Sequence, residues 1–356
     1  MVIKMTNENH INVYGYQGYF EALAAEYPDL TPARVVLQER ELYRIVSDSG
    51  EQSAVVSGKF RHEAQTASDY PAVGDFVMVE HTGESGHAVI RAVLPRKSLF
   101  IRRAAGTANH EQVVAANIDT VFICMSLNND FNIRRLERYL SVAWDSGASP
   151  VVVLTKADLC ADVGQKVGEV ERVALGVDVV VTSSLAEEGI EAIKPYLKAG
   201  KTASFIGSSG VGKSTLINRL IGSDVIATGG LRNDDKGRHT TTHRELILLS
   251  GGALVIDTPG MRELGMWGAD GGIDTAFADV EALAAHCKYK NCTHTGEPGC
   301  ALRAAIEEGT LAEDRYRSYA KLMTENAYIE DTDSYLAAKE KKFKDIAKYN
   351  KTNKKR

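Results

Sequence analysis

The feature that most restricts this chain is the run Gly207-Ser208-Ser209-Gly210-Val211-Gly212-Lys213-Ser214. It matches the phosphate-binding pattern G-x-x-x-x-G-K-[ST], with apolar Phe205-Ile206 leading in and a helical pattern over Ser214–Leu220 leading out. Such a loop needs a strand before it and a helix after it. The glycines let the backbone wrap until its N–H groups and the helix N-terminus face phosphate oxygens. Lys213 is expected to reach the β- and γ-phosphates and the Ser214 hydroxyl to bind Mg²⁺, with Thr215 the last nucleotide-binding residue of the loop.

Two further stretches complete a nucleotide site. Asp257-Thr258-Pro259-Gly260 ends the apolar run ALVID. There Asp257 would hold Mg²⁺, directly or through water, and the Gly260 amide would sense the γ-phosphate. Thr155-Lys156-Ala157-Asp158 follows the buried run PVVVL. A carboxylate at Asp158 can accept from N1–H and the exocyclic amine of guanine, whereas adenine offers neither donor. A buried acceptor left unpaired is costly, so such a site can discriminate by roughly 10⁴–10⁵. Lys156 would lie along the base plane, and Ser183 and Ser184, after the next strand, would supply backbone contacts.

These elements resemble the nucleotide motifs of GTPases, but in an unusual order. Ordinary GTPases run phosphate loop, switch I, D-x-x-G, then N/T-K-x-D; here Asp158 and Ser183 precede Gly207. A sheet can keep the same spatial arrangement when only its connections change, because the ligand lies beyond the strand C-termini. The reading is a circularly permuted α/β domain. Switch I is expected within Lys236-Gly237-Arg238-His239-Thr240-Thr241-Thr242, with Thr240 or Thr241 closing on Mg²⁺. Met261 stands where many GTPases carry a water-orienting glutamine, which leaves His239 as the nearest local candidate for that task.

Upstream, short β-rich runs between Ala33 and Arg103, separated by Gly and Asp turns, suit a five-stranded OB-type barrel. Arg91, Arg96, Lys97, Arg102 and Arg103 cluster at its exit and suit phosphate contacts. The first 30 residues are aromatic-rich and could form a helix that caps the next domain. Residues 104–117 read as a linker, and Glu187–Leu197 as a helix. Downstream, Cys287-x4-Cys292-x-His294-x5-Cys300 offers four ligands for a closed, structural tetrahedral zinc site. The spacing leaves adjacent His286 outside the set. The expected organisation is an N-terminal extension (1–32), barrel (33–104), linker (105–111), permuted GTPase domain (112–270) and helical zinc-binding domain with a basic tail (271–356).

Charge and composition add a partner. The 356-residue chain carries a formal charge of −5, yet residues 339–356 hold nine Lys and Arg against two acidic residues. A basic tail on an acidic body points to a polyanion, with Arg303, Arg315 and Arg317 as further candidate RNA contacts. No apolar run approaches the length of a membrane span, and no secretory leader is evident. A cytoplasmic monomer without membrane contact is the expectation, with Cys124 and Cys160 as ordinary thiols.

The segments VGDFV, VLPRKSLFIRR, TKAD, GSSGVGKSTLIN, GRHTTTHREL, DTPGMREL and CKYKNCTHTGEPGC, taken in this order, resemble the ribosome small subunit-dependent GTPase A family over nearly the whole chain. The resemblance implies an assembly factor that binds the 30S subunit late in maturation. It also implies GTP hydrolysis stimulated by that subunit and coupled to release, with barrel and zinc domain touching 16S rRNA. Two competing readings are an RNA-binding module with a non-hydrolysing nucleotide site and a P-loop kinase of a small metabolite. The second would have no use for Asp158 or for a basic tail.

Overall fold

Alternating apolar and polar residues in the first third of the chain build five strands that close on themselves. The computed structural model describes residues 10–39, 41–81, 86–103, 111–183, 188–224, 244–257 and 270–330, in two units, 1–264 and 265–356. In the first unit two short helices, α1 (His10–Val13) and α2 (Tyr19–Ala24), precede β1 (Thr31–Glu39), β2 (Leu42–Ser47) and β3 (Gly50–Val56). Helix α3 (Gly58–Glu63) then leads to β4 (Phe76–Glu80) and β5 (Ala88–Val93). The ring runs β1–β2–β3–β5–β4 and back to β1; every pair is antiparallel except β3 with β5. Residues such as Val35, Ile45, Val77 and Ile90 fill its interior, so the expected barrel is present. The aromatic N-terminal segment lies against it, with Phe20 packed on Phe76 at a 4.1 Å ring separation.

Next come β6 (Leu99–Arg103) and β7 (Glu111–Ala116), which form a separate two-stranded ribbon. The linker expectation over 104–117 therefore meets a strand at its C-terminal half. The run QVVAA is short and flanked by polar residues, but Val113 and Val114 are buried and pairing with β6 supplies the ladder.

The remainder of the unit alternates. Its elements are β8 (Thr120–Ser126), α4 (Ile133–Asp145), β9 (Ser149–Thr155), α5 (Val163–Glu171), β10 (Asp178–Val181), α6 (Glu188–Glu191), β11 (Thr202–Ile206), α7 (Lys213–Asp224), β12 (Glu245–Leu248) and β13 (Leu254–Asp257). The expected helix over Glu187–Leu197 is shorter: after α6 the chain makes a 3₁₀ turn at Lys194–Tyr196 around Pro195, which has no N–H to continue an α-helix. The sheet order is β10–β9–β8–β11–β13–β12, parallel except for β12. From β8 the chain steps outward to β9 and β10; from β11 it steps the other way. The divergence leaves a crevice at the C-terminal ends of β8 and β11, where ligands of such sheets bind. Strand β12 also pairs with β1 of the barrel at Glu245 and Leu37.

A buried cation ties these parts together. Arg34 on β1 donates to the carbonyls of Tyr14, Gly74 (3.2 Å) and Asn117 (3.4 Å) and to Thr202 Oγ1 (2.8 Å), with its guanidinium 4.7 Å from the Phe76 ring centre. Burial pulls its pKa down to about 10, opposed by Asp119 and Asp75, so it stays charged at neutral pH. Arg96 is likewise an internal group. It binds Asp75 bidentately at 2.7 and 2.8 Å and caps the carbonyls of Ser68 and Tyr70, which corrects its reading as a phosphate contact. Arg91 pairs with Glu80, and Lys97 lies over the rings of Tyr19 and Phe20.

The second unit contains α8 (Asp270–Ala276), α9 (Ala278–Ala284), α10 (Ala301–Glu307) and α11 (Glu313–Glu330), packed around Ile273, Phe277, Val280 and Leu302. Arg315 is buried over Phe277 and binds Asp279 and the Ala276 carbonyl, so it is not available to RNA. Arg303 and Arg317 are exposed. No helix among the described residues is long and apolar enough to cross a membrane.

Candidate functional site

Five parallel strands deliver their following loops to one edge. Thr155 lies opposite Ser126 in register, Val181 opposite Leu154, and Ile206 opposite Ile123, while Asp257 ends β13 beside β11. The phosphate loop follows β11. Gly207, Gly210 and Gly212 have φ of +141°, +74° and +106°, values that side-chain-bearing residues rarely adopt. At Gly207 a Cβ would also sit 2.3 Å from the Cys124 carbonyl oxygen, so the loop is pressed against β8 itself. Lys213 opens α7 and reaches back across the loop, where Nζ donates to the carbonyls of Gly207 (2.6 Å) and Ser208 (2.7 Å). Ser209, Gly210, Ser214 and Thr215 are exposed along the loop and the helix start, whereas Val211 is buried.

The guanine-type stretch meets this loop directly. Buried Thr155 donates its hydroxyl to the Val211 carbonyl. Lys156 then takes a left-handed conformation, φ +58°, which turns the chain into the 3₁₀ turn Ala157–Leu159. Asp158 is exposed and accepts from Ser183 Oγ at 2.6 Å, and the Ala157 amide donates to the Thr182 carbonyl. Thr155, Lys156, Asp158 and Ser183 thus gather beside the phosphate loop. Ser184, His239, Thr240, Thr241 and Gly260 lie outside the described residues, as does the basic stretch 339–356.

Residues 93–267 match the RsgA GTPase family. A small ribosomal subunit biogenesis GTPase RsgA 2 from Lactiplantibacillus plantarum is 52% identical over 296 residues, 83% of either chain. The chain belongs to the RsgA GTPase family. Two solved structures share its fold. YjeQ from Thermotoga maritima aligns with a TM-score of 0.62 at 28% identity, covering 82% of this chain and 97% of that one. YloQ, titled a circularly permuted GTPase, aligns with a TM-score of 0.62 at 25% identity, covering 86% and 97%. The permuted order read from Asp158, Lys213 and Asp257 is therefore that of a GTP-hydrolysing family.

Reading the sequence missed one member of the site. Asp130, in the loop after β8, accepts from Ser208 Oγ at 2.6 Å and pairs with Arg135 at 2.8 Å. Partial burial alone would raise its pKa, but the hydrogen bonds from Ser208 and Arg135 outweigh this and hold the carboxyl below the usual carboxylate range. Only its place just past a strand C-terminus on the ligand edge hinted at such a role.

In the second unit, Cys287, Cys292, His294 and Cys300 bring their ligand atoms within 4.8 Å of one another. Tetrahedral zinc, with Zn–S near 2.3 Å and Zn–N near 2.0 Å, separates its donors by about 3.5–3.8 Å. Nδ1 of His294 is 3.6 Å from Cys287 Sγ and 3.5 Å from Cys300 Sγ, and those two sulfurs are 4.0 Å apart. The set fits one zinc ion. His286 turns away, its Nδ1 2.8 Å from the Ala282 carbonyl oxygen. Glu297, also missed, accepts from the amides of Thr293, Thr295 and Gly296 and braces the loop. Hydrogen bonds from the Thr293 hydroxyl and from the amides of Glu297 itself, Gly296 and Thr293 push its pKa far down.

Proposed function

We propose that this chain is an assembly factor of the small (30S) ribosomal subunit that binds the subunit late in maturation, hydrolyses GTP there and leaves on hydrolysis. The observation that carries the nucleotide assignment is the hydrogen bond from Thr155 to the Val211 carbonyl. It fastens the T-K-x-D turn to the phosphate loop although 56 residues separate them. The ribosomal assignment rests on the similarity to relatives whose names specify small-subunit biogenesis.

In this reading the loop amides and Lys213 hold the β- and γ-phosphates, and Asp158, positioned by Ser183, selects guanine. Ser214 and Asp257 are hard oxygen donors suited to Mg²⁺, with Thr240 or Thr241 joining when the γ-phosphate is present. When bound, the cation neutralises charge on the β- and γ-phosphate oxygens. Water attacks the γ-phosphorus while its bond to the bridging oxygen breaks, giving GDP and phosphate. Met261 cannot orient that water, so His239 or a group of the subunit does. Zinc on the Cys₃His set is structural, since a closed four-ligand site has no position for substrate. The barrel, the zinc unit and the basic tail contact 16S rRNA, and the chain works in the cytoplasm as a monomer.

The test is the GTPase rate with and without purified 30S subunits. A rise of at least roughly tenfold is expected, since a group supplied in trans accelerates such reactions by more than that. An unchanged rate would sink the ribosomal reading. Asp158→Asn should shift preference from GTP toward XTP, and an unaltered preference would remove the base assignment.

A further inference from the structure

The carboxylate of Asp130 is oriented by its own loop before it meets the phosphate loop. Buried Ser126, the last residue of β8, donates to Asn128 Oδ1 at 2.8 Å, and the same oxygen accepts the Asp130 amide at 3.0 Å. From α4, Arg135 Nη2 donates to the Asp130 carbonyl and, at 2.8 Å, to Oδ1. Backbone and one carboxylate oxygen are thus committed to β8 and α4. The other oxygen, Oδ2, accepts from Ser208 Oγ at 2.6 Å, across 78 residues of sequence. Ser208 carries the constraint over the loop, because its carbonyl accepts from Lys213 Nζ at 2.7 Å, beside the Gly207 carbonyl at 2.6 Å. One residue is held at its side chain by an anion and at its carbonyl by the lysine assigned to the phosphates. Turning that peptide would shift the lysine's seat.

We propose that Asp130 is a positioning residue of the phosphate loop, acting through Ser208 to keep Lys213 in register with the β-phosphate. The role rests on the nucleotide reading of that loop. The bond contributes little to the core. The Asp130 side chain is 40% exposed and Ser208 is half-buried, so cutting the bond leaves neither a cavity nor a buried unpaired group. Such a contact sets the shape of a loop more than the stability of a fold. A bare carboxylate beside a phosphate loop would repel the ligand, and Arg135 supplies the compensating charge. A second route leads from Asp130 toward the base through Lys156, the least of the groups that hold its pKa down. The Ser208 route is the direct one, a hydrogen bond to a charged acceptor, which is roughly twice as strong as a neutral one.

The full chain should be titrated with GDP by calorimetry and with GMP by NMR, which reads weak binding. GMP lacks the β-phosphate, so a fault confined to Lys213 and its loop spares it. Asp130→Ala should weaken GDP roughly tenfold, the loss of one charge-assisted hydrogen bond, with GMP held within about twofold. Asp130→Asn should retain most of the GDP affinity, since an amide bonds a hydroxyl through either end. Ser208→Ala should match Asp130→Ala, and the double variant should be no weaker than either single one, the mark of two residues acting in series. If Asp130→Ala lowers the unfolding temperature, Ser208→Ala at its half-buried loop position carries the GDP and GMP comparison. Wild-type GDP affinity in both alanine variants, or losses that multiply in the double variant, would overturn the role. Equal losses for GDP and GMP would overturn it too and place Asp130 on the base side, with Lys156. A wild-type chain that bound no GDP would instead overturn the nucleotide reading itself, a result distinct from all of these.

Discussion

The phosphate loop and the Cys/His loop are both short, glycine-bearing and poor in buried side chains, yet they are held in opposite ways. The first is fixed by backbone. Gly207 rests on the Cys124 carbonyl, Thr155 grips Val211, and Lys213 spans the loop. The second has no core of its own, for no residue from 288 to 299 is buried. Glu297, and Tyr316 donating to the His294 carbonyl, brace it, while three sulfurs and an imidazole face one another. A loop backed by a sheet is ready before its ligand arrives. A loop without a core depends on its ion.

Removing zinc is the largest perturbation the comparison allows. Structural zinc contributes apparent folding free energies of roughly 10 kcal/mol or more in small metal-dependent domains. A chelator should abolish hydrogen-exchange protection at the Lys288 amide, which bonds the Gly299 carbonyl, and at the Ala301 amide, which faces Cys287 Sγ. GDP affinity should stay within about twofold, because the phosphate loop is braced by strands instead of an ion. Protection that survives chelation would show that the Cys/His loop is as self-supporting as the phosphate loop and erase the contrast.

The glycines give a second test. Gly207→Ala sets a Cβ 2.3 Å from a strand carbonyl at φ +141°. Strain of that kind costs about 1–3 kcal/mol before the clash is counted, so GDP should bind at least roughly a hundredfold more weakly in titration calorimetry. For Gly299→Ala, at φ +81°, the nearest atoms to the new Cβ all belong to the flexible Lys288 side chain, the closest at 3.0 Å. The substitution should lower stability by about 1–2 kcal/mol, the left-handed penalty alone. Equal losses at the two positions would mean that backbone contact is not what distinguishes the loops.

How far each region was legible follows from the same contrast. The phosphate loop, the T-K-x-D turn and the metal set are local strings whose residue types state their chemistry, and the permuted order needed only the sequence positions of Asp158 and Lys213. Arg34, Arg96 and Arg315 were not legible, because a charged residue reads as surface until the fold shows which carbonyls and carboxylates surround it. The β7 strand was hidden for a related reason. Four small or apolar residues, Val113 to Ala116, become a strand only when β6 lies beside them, and such non-local pairing leaves little local trace. Asp130 carries no motif at all; its role exists only because β8 and β11 are neighbours.

Thr155→Val separates the two kinds of support within the nucleotide site. It keeps the volume but removes the donor to the Val211 carbonyl, leaving a buried acceptor unpaired at a cost of about 1–3 kcal/mol. GDP should bind roughly tenfold more weakly while the barrel methyls and the zinc loop are unchanged. If affinity is unaffected, the T-K-x-D turn and the phosphate loop are held together by the sheet alone, and the hydrogen bond is incidental.

The smallest effect concerns the thiol beneath the loop. Burial pushes the Cys124 pKa up to about 12, opposed weakly by Lys213. The folded state therefore favours the protonated thiol. Its contribution to stability is whole below the unfolded value near 9 and is lost as pH rises toward 12. Since the thiolate is the reactive form, a thiol reagent at pH 8 should modify half-buried Cys160 while sparing Cys124. Raising the pH to 9.5 should leave Cys124 labelling limited by opening of the loop above it. Bound GDP should slow that opening further without altering Cys160. A Cys124 rate that climbs about tenfold per pH unit from pH 8 would mean that the phosphate loop lifts freely, and that its rigidity comes from the nucleotide and not from the strand beneath.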